Sequence, residues 1–321
     1  MALTGVFEKI VGVGAEGTYG VVGTVNEWID FEDAEFNLEI PLNPIEGIWG
    51  KRDFQKTFQE VKVLTPSISF PAEPENGLGL ILKAAFGTSS VVQIGTFLSY
   101  KHTFRETDVA ELPSLFARVT QLTGVAKDYT GLKVNTLEVA YAKNETVKIS
   151  VEFIGKDELT GTSMTGTYGT QIPFTQFGNM TAKIDGTVNA DVMSAVFTLN
   201  NNLASFITVG TSKTISKIGA GRVEVTGEVV LLLQDQVERA KFLANTSSKL
   251  ELNLQAGTFA SSGTAKYELN FTFPKIEYSA FPFDAEDGVV TTTAEFVAYY
   301  GESSVGTNSI IAELINSKAS Y

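Results

Sequence analysis

The chain has 321 residues, enough to bury an ample apolar core as one large domain or two smaller ones. Charged residues make up only 19%, the net charge is −13, and there is no cysteine and a single histidine. This excludes disulfide staples, thiolate metal sites, thiol nucleophiles and multi-histidine centres, and it disfavours tight binding of phosphate backbones.

Residues 1–25 carry six glycines and read as an N-terminal arm rather than a core element. The opening Met1-Ala-Leu-Thr-Gly-Val-Phe7 lacks the basic-then-apolar run of a secretory signal. No stretch approaches the roughly 20 apolar residues of a spanning helix. The expectation is a chain made in a cytoplasm, soluble at least before any assembly, with no membrane partner.

A strand is expected over 27–40, where Trp28, Phe31, Phe36, Leu38 and Ile40 alternate with acids. Pro41, Pro44, Gly47 and Gly50 then predict a long loop over 41–55. Strands follow at 58–70. A helix over about 75–86 has Leu78, Ile81, Leu82 and Ala85 on one stripe, with Asn76 and Gly87 as caps. Further strands fall at 97–105, 113–120, 131–141 and 145–154, the last two joined through Lys143-Asn-Glu145. Residues 155–178 are polar and rich in Gly and Thr, the natural joint between halves.

The second half repeats this order. Met193–Leu199 is a strand, 200–221 a long loop, and 222–233 strand leading to a helix over about 235–245 with Asp235 as cap. Strands then fall at 249–255, 265–279 and 288–300. The tail from 301 holds Ile310-Ile-Ala-Glu-Leu-Ile315, able to add a strand or short helix to a neighbour.

Two echoes tie the halves together. Phe70 corresponds to Leu231 and Leu82 to Leu243, both 161 positions apart (231−70, 243−82). Val147–Ile154 corresponds to Val290–Val297 at a spacing of 143 (290−147). A repeated strand–strand–helix unit points to a duplicated domain. The organisation expected is an arm over 1–25, units over 26–158 and 179–300, a linker over 159–178, and a C-terminal arm over 301–321.

No catalytic constellation appears. His102 is expected as a strand-edge histidine bonded to a neighbour, and no Gly-x-Ser-x-Gly elbow accompanies it. Asp30 and Glu32 share one strand face and Asp33 and Glu35 the other, so they do not converge on a cation. Asp284–Gly288 lacks the ligand spacing of a calcium loop. Gly12–Gly17 is no dinucleotide fingerprint. No cofactor, metal or enzymatic activity is expected. Trp49, Lys51 and Arg52 in the first long loop, and Lys213 and Lys217 in the second, are candidate partner contacts.

An ordered set of segments carries a resemblance. They are Glu16-Gly-Thr-Tyr-Gly20, Lys51-Arg52, Gly77–Gly87, His102-Thr-Phe104, Pro113-Ser-Leu115 and Tyr129–Val139 with its hairpin to Phe153-Ile-Gly155. Asn200-Asn-Asn202, Gly221–Gly227 and the helix to Asn245 fit more loosely. In this order the chain resembles the tail tube proteins of long-tailed bacteriophages, over residues 15–155 and less closely beyond.

The resemblance implies a mostly β fold: two tandem sandwich or barrel units, each with a short flanking helix, contributing to one continuous inner β-barrel in a ring. It implies a structural virion protein that stacks into a DNA-conducting tube. Its partners would be further copies of itself, in trimeric pseudo-sixfold rings or alternatively hexameric ones. The tape measure, tail terminator and baseplate or tip proteins would join them, and DNA would pass without specific binding. Ring stacking would fall to the long loops, hence to Trp49, Lys51, Arg52, Lys213 and Lys217. The lumen-facing acids would be drawn from Asp30, Glu32, Glu35, Glu39, Glu138 and Glu152. The rival readings are a virion adhesin or receptor-binding β-module, a membrane pore, and a carbohydrate-active enzyme.

Overall fold

The computed structural model describes residues 9–46, 50, 53, 56–95, 98–108, 110–122, 124–176, 179–210, 213–258, 265–286, 289–301 and 308–321. Trp49, Lys51 and Arg52 lie outside the described residues.

The first half opens with β1 (Ile10–Ala15), β2 (Glu27–Ile29), β3 (Asp33–Glu35), β4 (Leu38–Glu39), β5 (Leu42–Pro44) and β6 (Thr57–Gln59). β7 (Val63–Leu64) and β8 (Ser67–Pro71) lead to α1 (Leu78–Phe86), followed by β9 (Gly87–Gln93) and β10 (Tyr100–Glu106). β11 (Leu115–Leu122), β12 (Val125–Tyr141), β13 (Lys148–Ile154) and β14 (Asp157–Thr160) complete it. The second half has β15 (Met180–Ile184), β16 (Thr187–Val188), β17 (Val192–Asn200), β18 (Ala204–Phe206), β19 (Lys217–Gly219) and β20 (Glu224–Leu232). α2 (Val237–Ala244) precedes β21 (Ser248–Thr258), β22 (Lys266–Ala280), β23 (Phe283–Glu286), β24 (Val289–Ala298) and β25 (Ile311–Asn316).

The hydrogen-bond ladders run in the same order twice. β1–β11–β12–β13–β8–β3 in the first half matches β15–β21–β22–β24–β20–β17 in the second. Registers agree with the sequence spacings. Ile68 pairs with Val151 and Val229 with Ala294, displaced by 161 (229−68) and 143 (294−151). A bulge between Val134 and Thr136 recurs between Tyr278 and Ala280, both displaced by 144 (278−134, 280−136). The second copy is shorter after its helix because the β9–β10 hairpin has no counterpart there; that hairpin pairs instead with β25.

β12 joins the halves by pairing with β17 from Thr136↔Asn200 to Tyr141↔Ala195. One sheet therefore runs β3–β8–β13–β12–β17–β20–β24–β22 across the molecule. It does not close on itself among the described residues. Beneath the joint, Phe197 stands 4.8 Å from Phe271, 5.1 Å from Phe273 and 6.3 Å from Tyr141, so a single core spans both halves.

Four expectations are corrected. Residues 10–15 are not part of a free arm: β1 pairs with β11 and β2 and buries Val11 and Val13. Its glycines serve close approach, since a Cβ on Gly14 would lie 2.2 Å from the Thr24 carbonyl oxygen. The expected long loops contain paired strands, β5–β6 and β18–β19, because backbone pairing satisfies their amides, in the first loop in spite of Pro41 and Pro44. The tail strand β25 is inserted in its own chain, between β10 and β22. His102 is not on an edge: β10 runs between β9 and β25, and the buried ring bonds the Lys318 carbonyl through Nε2 at 2.8 Å.

The helix caps divide. Asp235 Oδ1 accepts the Val237 N–H at 2.9 Å, and Asn245 ends α2 in the left-handed region. Gly87 ends α1 with φ 94° and donates to the Lys83 carbonyl. Asn76 does not cap α1. Its Oδ1 accepts the Gly169 N–H at 2.6 Å and its amide donates to Glu73.

Candidate assembly site

Side chains directly opposite in an antiparallel ladder point to one face. Glu35↔Ser67, Ser67↔Glu152, Glu152↔Thr136, Thr136↔Asn200 and Asn200↔Glu224 form one row across the sheet. The next row runs Asp33, Ser69, Ser150, Glu138, Thr198, Thr226. A third places Ala140 against Val196, Val196 against Glu228, and Glu228 against Glu295. The opposite face is apolar throughout: Ile68, Phe70, Val151, Leu137, Val139, Phe197, Leu199, Val229 and Phe296 are buried. The sheet is thus a wall with a dry side and an acidic side.

Among the sequence candidates, the structure brings Glu35, Glu138 and Glu152 onto that face. β4 continues the β3 ladder frame, with Leu38 opposite Leu64 as Ala34 is opposite Ile68, so Glu39 falls on the same face. Glu32 precedes β3 and forms an ion pair with Lys148 Nζ at 3.0 Å, at the rim of the face. Asp30 stands apart, its Oδ2 accepting from Gln171 Nε2 at 2.8 Å. Sequence reading missed Asp33, Glu224, Glu228 and Glu295. The repeat spacings were the signal that would have found the last three, since 161 carries Ser67 to Glu228 and Val63 to Glu224, and 143 carries Glu152 to Glu295. Glu228 opposite Glu295 sets like charge against like, an arrangement that costs stability and serves no fold requirement.

The two hairpins form a second surface. Asn43↔Phe58 and Ala204↔Gly219 are again 161 apart on both strands (204−43, 219−58). The hairpins touch: the Lys62 N–H donates to the Lys213 carbonyl at 2.9 Å, and Lys213 Nζ reaches Gln59 Oε1 at 3.4 Å. Lys217 opens β19 opposite Phe206 and is exposed. An apolar groove of about 610 Å3 lies between them, lined by Phe58, Val63, Leu64, Ile154, Ile207 and Ile215. Leu42, Ile45, Phe206 and Val209 are exposed around it, an apolar surface of the kind that marks contacts.

The Glu16–Gly20 segment, singled out in the sequence, is a clamp. Glu16 Oε1 accepts the Gly131 N–H at 2.7 Å and Oε2 that of Gly20 at 2.8 Å, pinning β12 where Gly131 has φ 66°. Burial, opposed by these bonds, raises the Glu16 carboxyl above its ordinary range. Tyr19 lies beneath Lys156 and Lys133, with ring centroid distances of 5.0 and 5.5 Å.

Nothing in this arrangement sets up chemistry. Among the described residues no cluster of His, Cys, Asp and Glu could hold a metal ion. Among the described residues, too, no helix is long and apolar enough to cross a membrane. What the molecule offers is surface, and the family comparison agrees: the profile of the phage tail tube proteins matches residues 7–301. The chain belongs to the phage tail tube protein family. No curated protein matches it closely. As a tail tube protein it is a structural component of the virion tail, built to self-assemble with other tail proteins. Its mostly β architecture with two short helices is in keeping with that membership.

Proposed function

We propose that this tail tube protein polymerises as stacked rings, each closed by three chains with approximate sixfold symmetry, around a bore through which viral DNA passes. The observation that carries the reading is the wall itself. One sheet crosses the whole chain, presents Glu35, Glu138, Glu152, Glu228 and Glu295 on one face, and repeats its ladders at fixed spacings. Two units, over 26–158 and 179–300 with a linker over 159–178, would occupy one of two equivalent places each, so three chains supply six. Hexameric rings of single-unit chains would be needed only if the repeat were false.

An acidic lining repels phosphates, so DNA gains no counterion-release energy by adhering and slides. The paired hairpins, with the loop of Trp49, Lys51 and Arg52 and with Lys213 and Lys217, would make the axial contacts between rings. Averaged electron micrographs of the purified protein test this. Tubes with three chains per ring support it, and a monodisperse globule at high concentration overturns it. Replacing Glu35, Glu138, Glu152, Glu228 and Glu295 by Lys should leave tubes intact yet make them retain DNA at low salt.

A further inference from the structure

The joint between the halves is covered on both sides, and its counterpart is open. Among the described strands, β3 pairs only with β8, and β23 with the end of β22 pairs only with β24. The ladder frames say what these margins correspond to. Ala34 stands in its half where Ala195 stands in the other, both opposite residues displaced by 161 (195−34). Phe283 stands where Val139 does, paired with Thr292 as Val139 is with Ile149, displaced by 144 (283−139). The margin of β22 and β23 is therefore the counterpart of the β12 margin that holds β17. The margin of β3 and β4 is the counterpart of β17 itself.

Resting on the ring reading above, we infer that the joint between subunits copies the joint within the subunit, residue for residue. Moving β12–β17 by these displacements puts Ala280 opposite Glu39 of the partner subunit and Phe283 opposite Phe36 of the partner subunit. Within the chain the matching pairs are Thr136↔Asn200 and Val139↔Phe197, the latter two side chains fully buried. Phe283 is half exposed, its ring covered on one side by the Arg239 guanidinium 4.1 Å from the centroid. A second copy completes that cover. Pro282 does not obstruct the ladder: its carbonyl accepts from Thr292 Oγ1 at 2.6 Å on the β24 side, so the donor it lacks is not one the partner needs. On the β3 side the Lys9 ammonium holds the Ala34 carbonyl, at the end of the margin furthest from the Glu39 contact.

The same frame accounts for a second opening. Phe174 is wholly buried on the first half, its N–H on the Ala72 carbonyl at 2.9 Å and its carbonyl taking the Val147 N–H at 2.8 Å. The counterparts Leu233 and Val290 are bonded to each other in the same way, yet Val290 is exposed, and a cleft of about 770 Å3 opens there, lined by Leu231, Leu233, Val237 and Phe281. β1 and β15 correspond at a displacement of 171, since Val13 pairs with Ala117 and Ile184 with Leu250 (184−13). Among the described residues none takes the part of Phe174 in this cleft.

The chain contains no cysteine, so paired substitutions report cleanly. Glu39→Cys with Ala280→Cys in one chain should, on mild oxidation of assembled protein, give a covalent ladder ending at a closed three-chain species. Thr136→Cys with Asn200→Cys is the built-in control and should close within single chains. Glu39→Cys with Pro282→Cys, two residues out of frame, should crosslink at least tenfold less. Tubes that form while only the out-of-frame pair crosslinks overturn this inference and leave the ring reading standing. Absence of any assembly under the micrograph overturns the ring reading instead.

Discussion

α1 and α2 occupy corresponding places, yet one is buried on nearly every side and the other has no buried residue at all. Around α1 the approach 72–77 is covered by the 168–176 segment, by β2 and by the chain end: Asn316 Nδ2 donates to the Pro74 carbonyl at 2.7 Å, and the Ser317 N–H to Glu75 at 2.9 Å. Around α2 the corresponding approach 233–238 faces solvent or is half-buried. Phe242 stacks on Phe281 with centroids 6.0 Å apart, and the Tyr278 hydroxyl donates to Glu238 at 2.9 Å. The helices match their settings. Leu78-Gly-Leu-Ile-Leu-Lys-Ala-Ala-Phe86 is apolar on every side but that of Lys83, whereas Val237-Glu-Arg-Ala-Lys-Phe-Leu-Ala244 is amphipathic. A duplicated frame thus carries two different finishes, one sealed by its own chain and one left for another surface.

The sharpest way to break this comparison is at the matched leucines. Leu82→Ala should cost about 2–5 kcal/mol in denaturant unfolding of the dissociated chain, the value for emptying a closed core site. Leu243→Ala, at 70% exposure, should stay within about 0.5 kcal/mol there. Equal losses would mean that α2 is covered within the single chain. The caps come next. Asn76→Ala leaves the buried Glu73 carboxyl without the amide that donates to it and should cost about 1–3 kcal/mol. Asp235→Ala removes only an exposed cap from α2 and should cost about 1 kcal/mol.

The smallest effect is a pH dependence confined to the α1 side. Burial lowers the His102 pKa below its ordinary 6.5, outweighing the Lys318 carbonyl that favours the proton. The unfolded chain therefore binds this proton first as pH falls. Stability is full above 6.5 and declines below it, by at most about 1.4 kcal/mol per pH unit, until the folded pKa is reached. His102→Gln, compared with the parent in unfolding at pH 7.5 and 5.5, should flatten that slope. An unchanged slope would place the titration elsewhere.

Much of this was legible beforehand. Period-two alternation located β12, β13, β17, β20, β22 and β24, because each has one dry and one wet face and the pattern is local. The apolar run from Leu78 and the Asp235 cap located both helices. β1 was not legible, since its two glycines hide alternation that only packing against Val25 and Phe116 explains. The strands inside the two long loops were missed because prolines and glycines spoke louder than a ladder formed with residues over ten positions away.

Sequence alone determined the repeat spacing, the element types, the excess of acid and the family resemblance, since these depend on the order of residues along the chain. Only the tertiary structure decided which acids share a face, because a face is defined by register between strands far apart in sequence, and a single-residue slip would turn Glu35 or Glu228 inward. It alone decided that β25 seals the first half while α2 stays bare. That choice depends on where the chain end lies in space, which no local pattern encodes.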